Sequence, residues 1–278
     1  MAKKTSSEQT RAAKPWRDLG RAAGGAVIFS LPILMTMEMW WLGFYMDRLR
    51  LLVLFALTFP LLIGLSRQIG FEDSRSWGGD FLDSLIALGI GALVSSTVLC
   101  IFGVITPDMS PDEIVGKIAL QTVPAAIGAL LARSQLGRSE DDETSEREEG
   151  YWGELFLMAV GALFLGFNVA PTEEMILISY QMTSWHALAL VVLSLAIMHA
   201  FVFSLGFAGG SEVAPDDPWW SGFVRLTLPG YVIAVAISLL VLWLFGRTDG
   251  NAFHMTAMAA IVLAFPSAIG AAAARLIL

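Results

Sequence analysis

The chain has 278 residues, 56% of them hydrophobic and only 15% charged, against about 25% charged in soluble domains, and its mean hydropathy is positive. This composition excludes a water-soluble core as the bulk of the molecule and predicts an all-α polytopic membrane protein. The single cysteine, Cys100, excludes a disulfide framework or a cysteine-based metal site within one chain, and the net charge of −8 names no partner because many of the acids fall in one stretch.

Residues 1–21 form a basic segment carrying Lys3, Lys4, Arg11, Lys14, Arg17 and Arg21. The apolar run after it is too long, and too aromatic at its end, for a cleaved signal peptide, so a retained signal anchor is expected. Apolar runs between charged boundaries predict eight transmembrane helices, at about 22–45, 49–66, 82–106, 114–132, 153–178, 186–208, 222–246 and 252–275. The second and fourth are short, and Arg50 and Lys117 near their ends extend them by snorkelling.

With the N-terminus inside, Arg67, Arg75, Arg133, Arg138, Arg147, Arg225 and Arg275 are also inside, leaving Arg48, Arg50, Lys117 and Arg247 outside. Both termini are then cytoplasmic. Trp40, Trp41 and Tyr45, then Tyr180 and Trp185, fit aromatic belts at outer boundaries. The acidic stretch Gly137–Glu149, within a linker over 134–152, cannot bury a core and reads as a solvated cytoplasmic connection. It separates a first four-helix repeat at 22–133 from a second at 153–278.

The two halves match internally. Pro124–Arg133 and Pro266–Arg275 are identical at seven of ten positions, and Trp77 and Phe81 recur as Trp219 and Phe223. At the front of each half, Gly25-Ala26 and Gly161-Ala162 precede Thr36-Met-Glu38-Met39 and Thr172-Glu-Glu174-Met175. Four spans per half, an even number, make the repeats parallel, related by a pseudo-two-fold along the membrane normal. Glu38 then pairs with Glu174 at one depth in the outer third, and Glu173 is an addition to the second half.

A carboxylate inside a membrane helix costs about 2.5 to 3.5 kcal/mol on insertion scales, so these acids are candidate functional residues. Pro32 and Pro171 nearby would free the carbonyls of Ile28 and Phe167. Together with Thr36, Thr172, Glu38, Glu173 and Glu174 these form a candidate cation-binding or pore-lining oxygen set. The plainer alternatives are a snorkelling Glu38 at the interface, and Glu173 and Glu174 opening a loop after a helix stopped at Pro171.

His199, in the middle of the sixth span, is a proton-relay candidate or a single hydrogen-bond donor to a neighbouring helix. Asp83 and Arg225 occupy matching positions and are a candidate repeat-pairing or gate contact. Gly128 to Ala132 and Gly270 to Ala274 have small-xxx-small spacing, read as close helix packing. Ser95, Ser96, Thr97, Gln121 and Thr122 either line a path or bond their surroundings. The chain lacks HExxH, GxSxG and GxxxxGK[ST], so no enzyme is expected and no cofactor, nor any metal beyond the cation site.

The eight-span pattern, the basic N-terminal segment, the acidic central linker and the two Thr-x-Glu-Met segments resemble the bacterial integral membrane proteins grouped as a domain of unknown function. The resemblance implies an inner-membrane location and carries over no activity and no functional residues. The expected function is a cation channel or secondary transporter, proton-coupled or not; the alternative is a membrane scaffold or lipid-interacting protein. Expected partners are the lipid bilayer, a small inorganic cation or proton and a second copy of the chain as a homo-oligomer, with no nucleic acid.

Overall fold

A computed structural model describes the backbone of residues 2–69, 76–137, 150–204 and 219–277, and the side chains of 18–68, 76–132, 150–201 and 220–274. Residues 138–149 of the linker expected over 134–152, the basic side chains before residue 18, and those of Arg75, Arg133, Trp219 and Arg275 lie outside the described residues, while 134–137 continue the preceding helix and 151–152 open the next. Among those described the chain is helical, with no strand. It divides into two compact units, one of residues 1–45 and 51–142, the other of 46–50 and 143–278.

The first unit contains α1 (Ala2–Leu34), α2 (Met37–Tyr45), most of α3 (Arg48–Ile69), α4 (Trp77–Ile101) and α5 (Pro111–Gly137). The second contains α6 (Tyr151–Val169), α7 (Glu173–Gln181), α8 (Ser184–Ser204), the single turn α9 (Trp219–Gly222), a π-helical turn Phe223–Thr227, α10 (Leu228–Leu244) and α11 (Phe253–Ile277).

Seven of the described helices are long and apolar enough to cross a membrane, and an eighth crossing exists only if Asp18–Leu34 and Met37–Tyr45 count as one span. The continuous span expected over about 22–45 is corrected here: it breaks after Leu34 and bends by 86°. The span expected over about 153–178 likewise ends at Val169, and Pro171 lies in the turn beyond it rather than inside a helix. Pro32 stays within α1.

In each unit the last helix is the central one. Buried residues make up 78% of the apolar stretch of α5 and 67% of that of α11, against 17% for α8, which is therefore peripheral. Both central helices place alanine and glycine where they cross a neighbour, because backbones approach closely only where side chains are small. A Cβ on Gly25 of α1 would overlap Ala132 and the Gly128 carbonyl of α5; a Cβ on Gly161 of α6 would overlap the Gly270 carbonyl and Ala274 of α11. Gly43 of α2 rests on the Lys117 backbone.

Helices α4 and α10 end alike. Gly103 and Gly246 have φ of +70° and +73°, a left-handed conformation that favours glycine. The Val104 N–H donates to the Leu99 carbonyl and the Arg247 N–H to the Leu242 carbonyl, each closing a Schellman turn. That turn aims whatever side chain follows the glycine back over its own unit: Val104 in the first, Arg247 in the second.

Candidate functional site

A helix that stops inside an apolar environment leaves its last four carbonyls without intrahelical donors. At the end of α1 each finds one. The Leu31 carbonyl accepts the Met35 N–H; the Pro32 carbonyl accepts the Thr36 hydroxyl at 2.6 Å. The Ile33 carbonyl accepts the Thr36 N–H and the Gln121 side-chain amide at 3.3 Å, and the Leu34 carbonyl accepts the Trp40 indole N–H at 2.8 Å. The chain then restarts as α2, with Glu38 half-buried in its first turn, where the helix dipole favours an acid.

The second unit has the same break. The Thr172 hydroxyl and N–H both donate to the Val169 carbonyl, and α7 restarts with Glu173 and Glu174 in its first turn, both exposed. The donor that closes this break comes from the loop after α10. Arg247 places Nη1 2.8 Å from Glu173 Oε1 and donates through Nη2 to the Pro171 carbonyl. On the same loop Asp249 takes Arg50 Nη2 at 2.7 Å, and Arg50 also lies over the Trp243 ring.

The structure therefore separates the two adjacent glutamates. Glu173 is committed to Arg247, whereas neither Glu174 nor Glu38 has a hydrogen-bond or ion-pair partner among the described residues. Thr36 and Thr172 turn their hydroxyls inward to cap carbonyls, and the Pro32, Ile33, Leu34, Val169 and Pro171 carbonyls accept protein donors. Among the described residues no group of three or more His, Cys, Asp or Glu side chains stands ready to hold a metal ion. What each break offers a ligand is a single uncommitted carboxylate.

His199 lies on α8, with Nδ1 3.1 Å from the Thr227 hydroxyl oxygen and its ring edge-on to Phe223. Thr227 is fully buried and ends the π-helical turn. There the Leu228 N–H reaches back five residues to the Phe223 carbonyl, immediately before Pro229, which has no N–H to continue the ladder. Asp83 accepts a long 3.4 Å bond from Ser66 in the first unit; Arg225 lies exposed on the π turn of the second. Ser96, Thr97 and Thr122 bond carbonyls of their own helices.

Three contributors to this architecture were not singled out as site residues from the sequence. Trp40 fits an interfacial belt by its place in the sequence, yet its indole caps the end of α1. Lys117, read as snorkelling, is buried and pairs with Glu113 at 2.8 Å while its ammonium lies near the Val104 carbonyl. Arg247 lies close to Asp249 along the chain, but its partner Glu173 is 74 residues away.

Seven to eight apolar helices among the described residues, with broken ends capped by neighbouring side chains, define a multi-pass all-α integral membrane protein. Residues 18–278 match the family described as "Putative integral membrane protein (DUF2391)", and the chain belongs to that family. No curated protein and no solved structure matches it.

Proposed function

We propose that the protein is a cation channel or secondary transporter of the bacterial inner membrane, with both termini cytoplasmic. Its two units are parallel repeats about a pseudo-two-fold axis along the membrane normal, and Glu38 and Glu174 are the groups that meet the ion. The observation that carries this reading is a recurring local structure. Thr36 and Thr172 each stand unwound between a long helix and a nine-residue helix, and Glu38 and Glu174 each take the second position of the short one.

Element spacing supports the duplication. From α2 to α7 (37 to 173) and from α3 to α8 (48 to 184) the starts are 136 residues apart; from α4 to α9 (77 to 219) and from α5 to α11 (111 to 253) they are 142 apart. The Gly25–Gly128 and Gly161–Gly270 crossings occupy matched positions, as do the Phe-Gly ends of α4 and α10. Discontinuous helices are the usual place for ion and substrate sites in transporters built from repeats. A carboxylate kept there without a protein partner is costly unless it is used. His199 and Thr227 form a second polar station that suits proton movement.

The test is flux into proteoliposomes loaded with ion-sensitive dyes. Replacing Glu38 and Glu174 together by glutamine should abolish it; unchanged flux by the folded double variant would reject the assignment. A second reading, a lipid-interacting scaffold, is favoured by the 86° bend that turns α2 out with Trp41, Phe44 and Tyr45 exposed, as in a helix lying in the interface. Loss of captured cytoplasmic partners on deleting residues 134–152, with no cation flux in the intact protein, would favour it.

A further inference from the structure

We infer that the ion handled at these helix breaks is monovalent, an alkali cation or a proton, and that Arg247 is the residue that sets this selectivity; the inference rests on the reading of Glu38 and Glu174 given above. A protein cage for a divalent cation supplies six or more oxygens, with several carboxylates or freely available carbonyls among them. Among the described residues neither break gathers three or more acidic or imidazole side chains. In the first unit the Pro32, Ile33 and Leu34 carbonyls are taken by Thr36, Gln121 and Trp40, and Glu38 is the one acid of the first turn.

The second unit carries two acids, which by themselves would attract a divalent ion more strongly. Arg247 removes that advantage: its guanidinium neutralises Glu173 at 2.8 Å and occupies the Pro171 carbonyl. The matched positions in the first unit are Met37 for Glu173 and, in the Schellman turn, Val104 for Arg247. Acid and base are thus both present in one unit and both absent from the other, and each break retains the charge of one carboxylate. Arg247 is a positioning and charge-setting residue; the ion itself meets Glu174.

The experiment uses the full chain in proteoliposomes, comparing K⁺, Na⁺ and proton flux with Mn²⁺ entry read by quenching of an entrapped dye. The wild type should pass monovalent ions or protons and exclude Mn²⁺. Arg247→Gln should raise the divalent-to-monovalent ratio roughly five- to tenfold, the effect of one added charge on a doubly charged ion at short range in a watery site. Adding Glu173→Gln to that variant should restore the wild-type ratio, an effect that a merely structural role would not produce. Glu173→Gln alone leaves Arg247 uncompensated beside Glu174 and should lower monovalent flux severalfold, so the inference is testable even if Arg247→Gln fails to fold.

Wild-type protein that passes Mn²⁺ as readily as K⁺, a folded Arg247→Gln with an unchanged ratio, or Glu173→Gln with wild-type flux would each overturn the inference while leaving transport intact. Absence of flux for every cation in the wild type would overturn the transport reading itself.

Discussion

Arg247 and Glu173 form an ion pair of 2.8 Å across the helix break of the second unit, and the same guanidinium takes the Pro171 carbonyl. The two bonds are unequal. Glu173 is two-thirds exposed, with 66% of its side chain accessible, so its share is about 0.2 to 1 kcal/mol, as for other exposed pairs. The part-buried carbonyl loses a charged donor, worth about 1.5 to 3 kcal/mol. Arg247→Met should therefore lower the stability of the purified protein in detergent more than Glu173→Gln does, and thermal melts of the two variants measure the order directly.

The glycine crossings should be the least tolerant positions in each unit. Alanine at Gly161 places a methyl group against the Gly270 carbonyl and Ala274, and alanine at Gly128 places one against Phe29 and the Gly25 carbonyl. Backbone atoms cannot yield as a flexible side chain can, so each change should cost about 1 to 3 kcal/mol or more. Gly89 has no atom within 4 Å of the added methyl group, so Gly89→Ala should be neutral or slightly stabilising. Equal losses at all three positions in a melting series would contradict the packing.

Acid should loosen the loop that carries Arg247. A hydrogen bond from Arg50 holds the Asp249 carboxyl below its ordinary pKa of 3.8. Because the folded value is the lower one, the contribution of this pair is complete above the ordinary value and fades as pH falls through the depressed one. Asp249→Asn should flatten the acid limb of a plot of melting temperature against pH below about 4 and leave the neutral region nearly level. An unchanged acid limb would mean that the pair does not form in the membrane protein as purified.

The bond between His199 and Thr227 joins α8 to the π-helical turn at 3.1 Å. Thr227→Val removes it with little change of shape, at a cost of about 0.6 to 1.7 kcal/mol for an interhelical bond of this kind. If His199 also relays protons, the same substitution should displace the pH dependence of flux while K⁺ passage at fixed pH is retained. Identical pH profiles for wild type and variant would leave His199 with the packing role alone.

Much of the class was legible in the sequence because membrane spans are local events. Some 20 apolar residues are enough to announce a helix in lipid, so the α3, α4, α5, α8, α10 and α11 segments fall near their expected places, within a few residues at most ends. Breaks are different. Nothing between Leu34 and Met37 is a glycine or proline, and a hydropathy window reads straight through them; the bend is held by Gln121 from α5 and by the Trp40 indole. The π turn was equally invisible, since Pro229 permits several local answers and only packing against α8 selects one.

The sequence by itself determined that the chain belongs in a membrane, roughly where most of its apolar helices lie, and that Thr-x-Glu-Met occurs once in each half. These follow from composition and spacing along the chain. Tertiary structure decided which carboxylates are committed. Glu173 and Glu174 are neighbours of the same type in the same turn, and they differ only because the Schellman turn at Gly246 aims Arg247 at one of them from 74 residues away. Charge compensation acts through space at a few ångströms, so no reading of that turn in isolation could have assigned it.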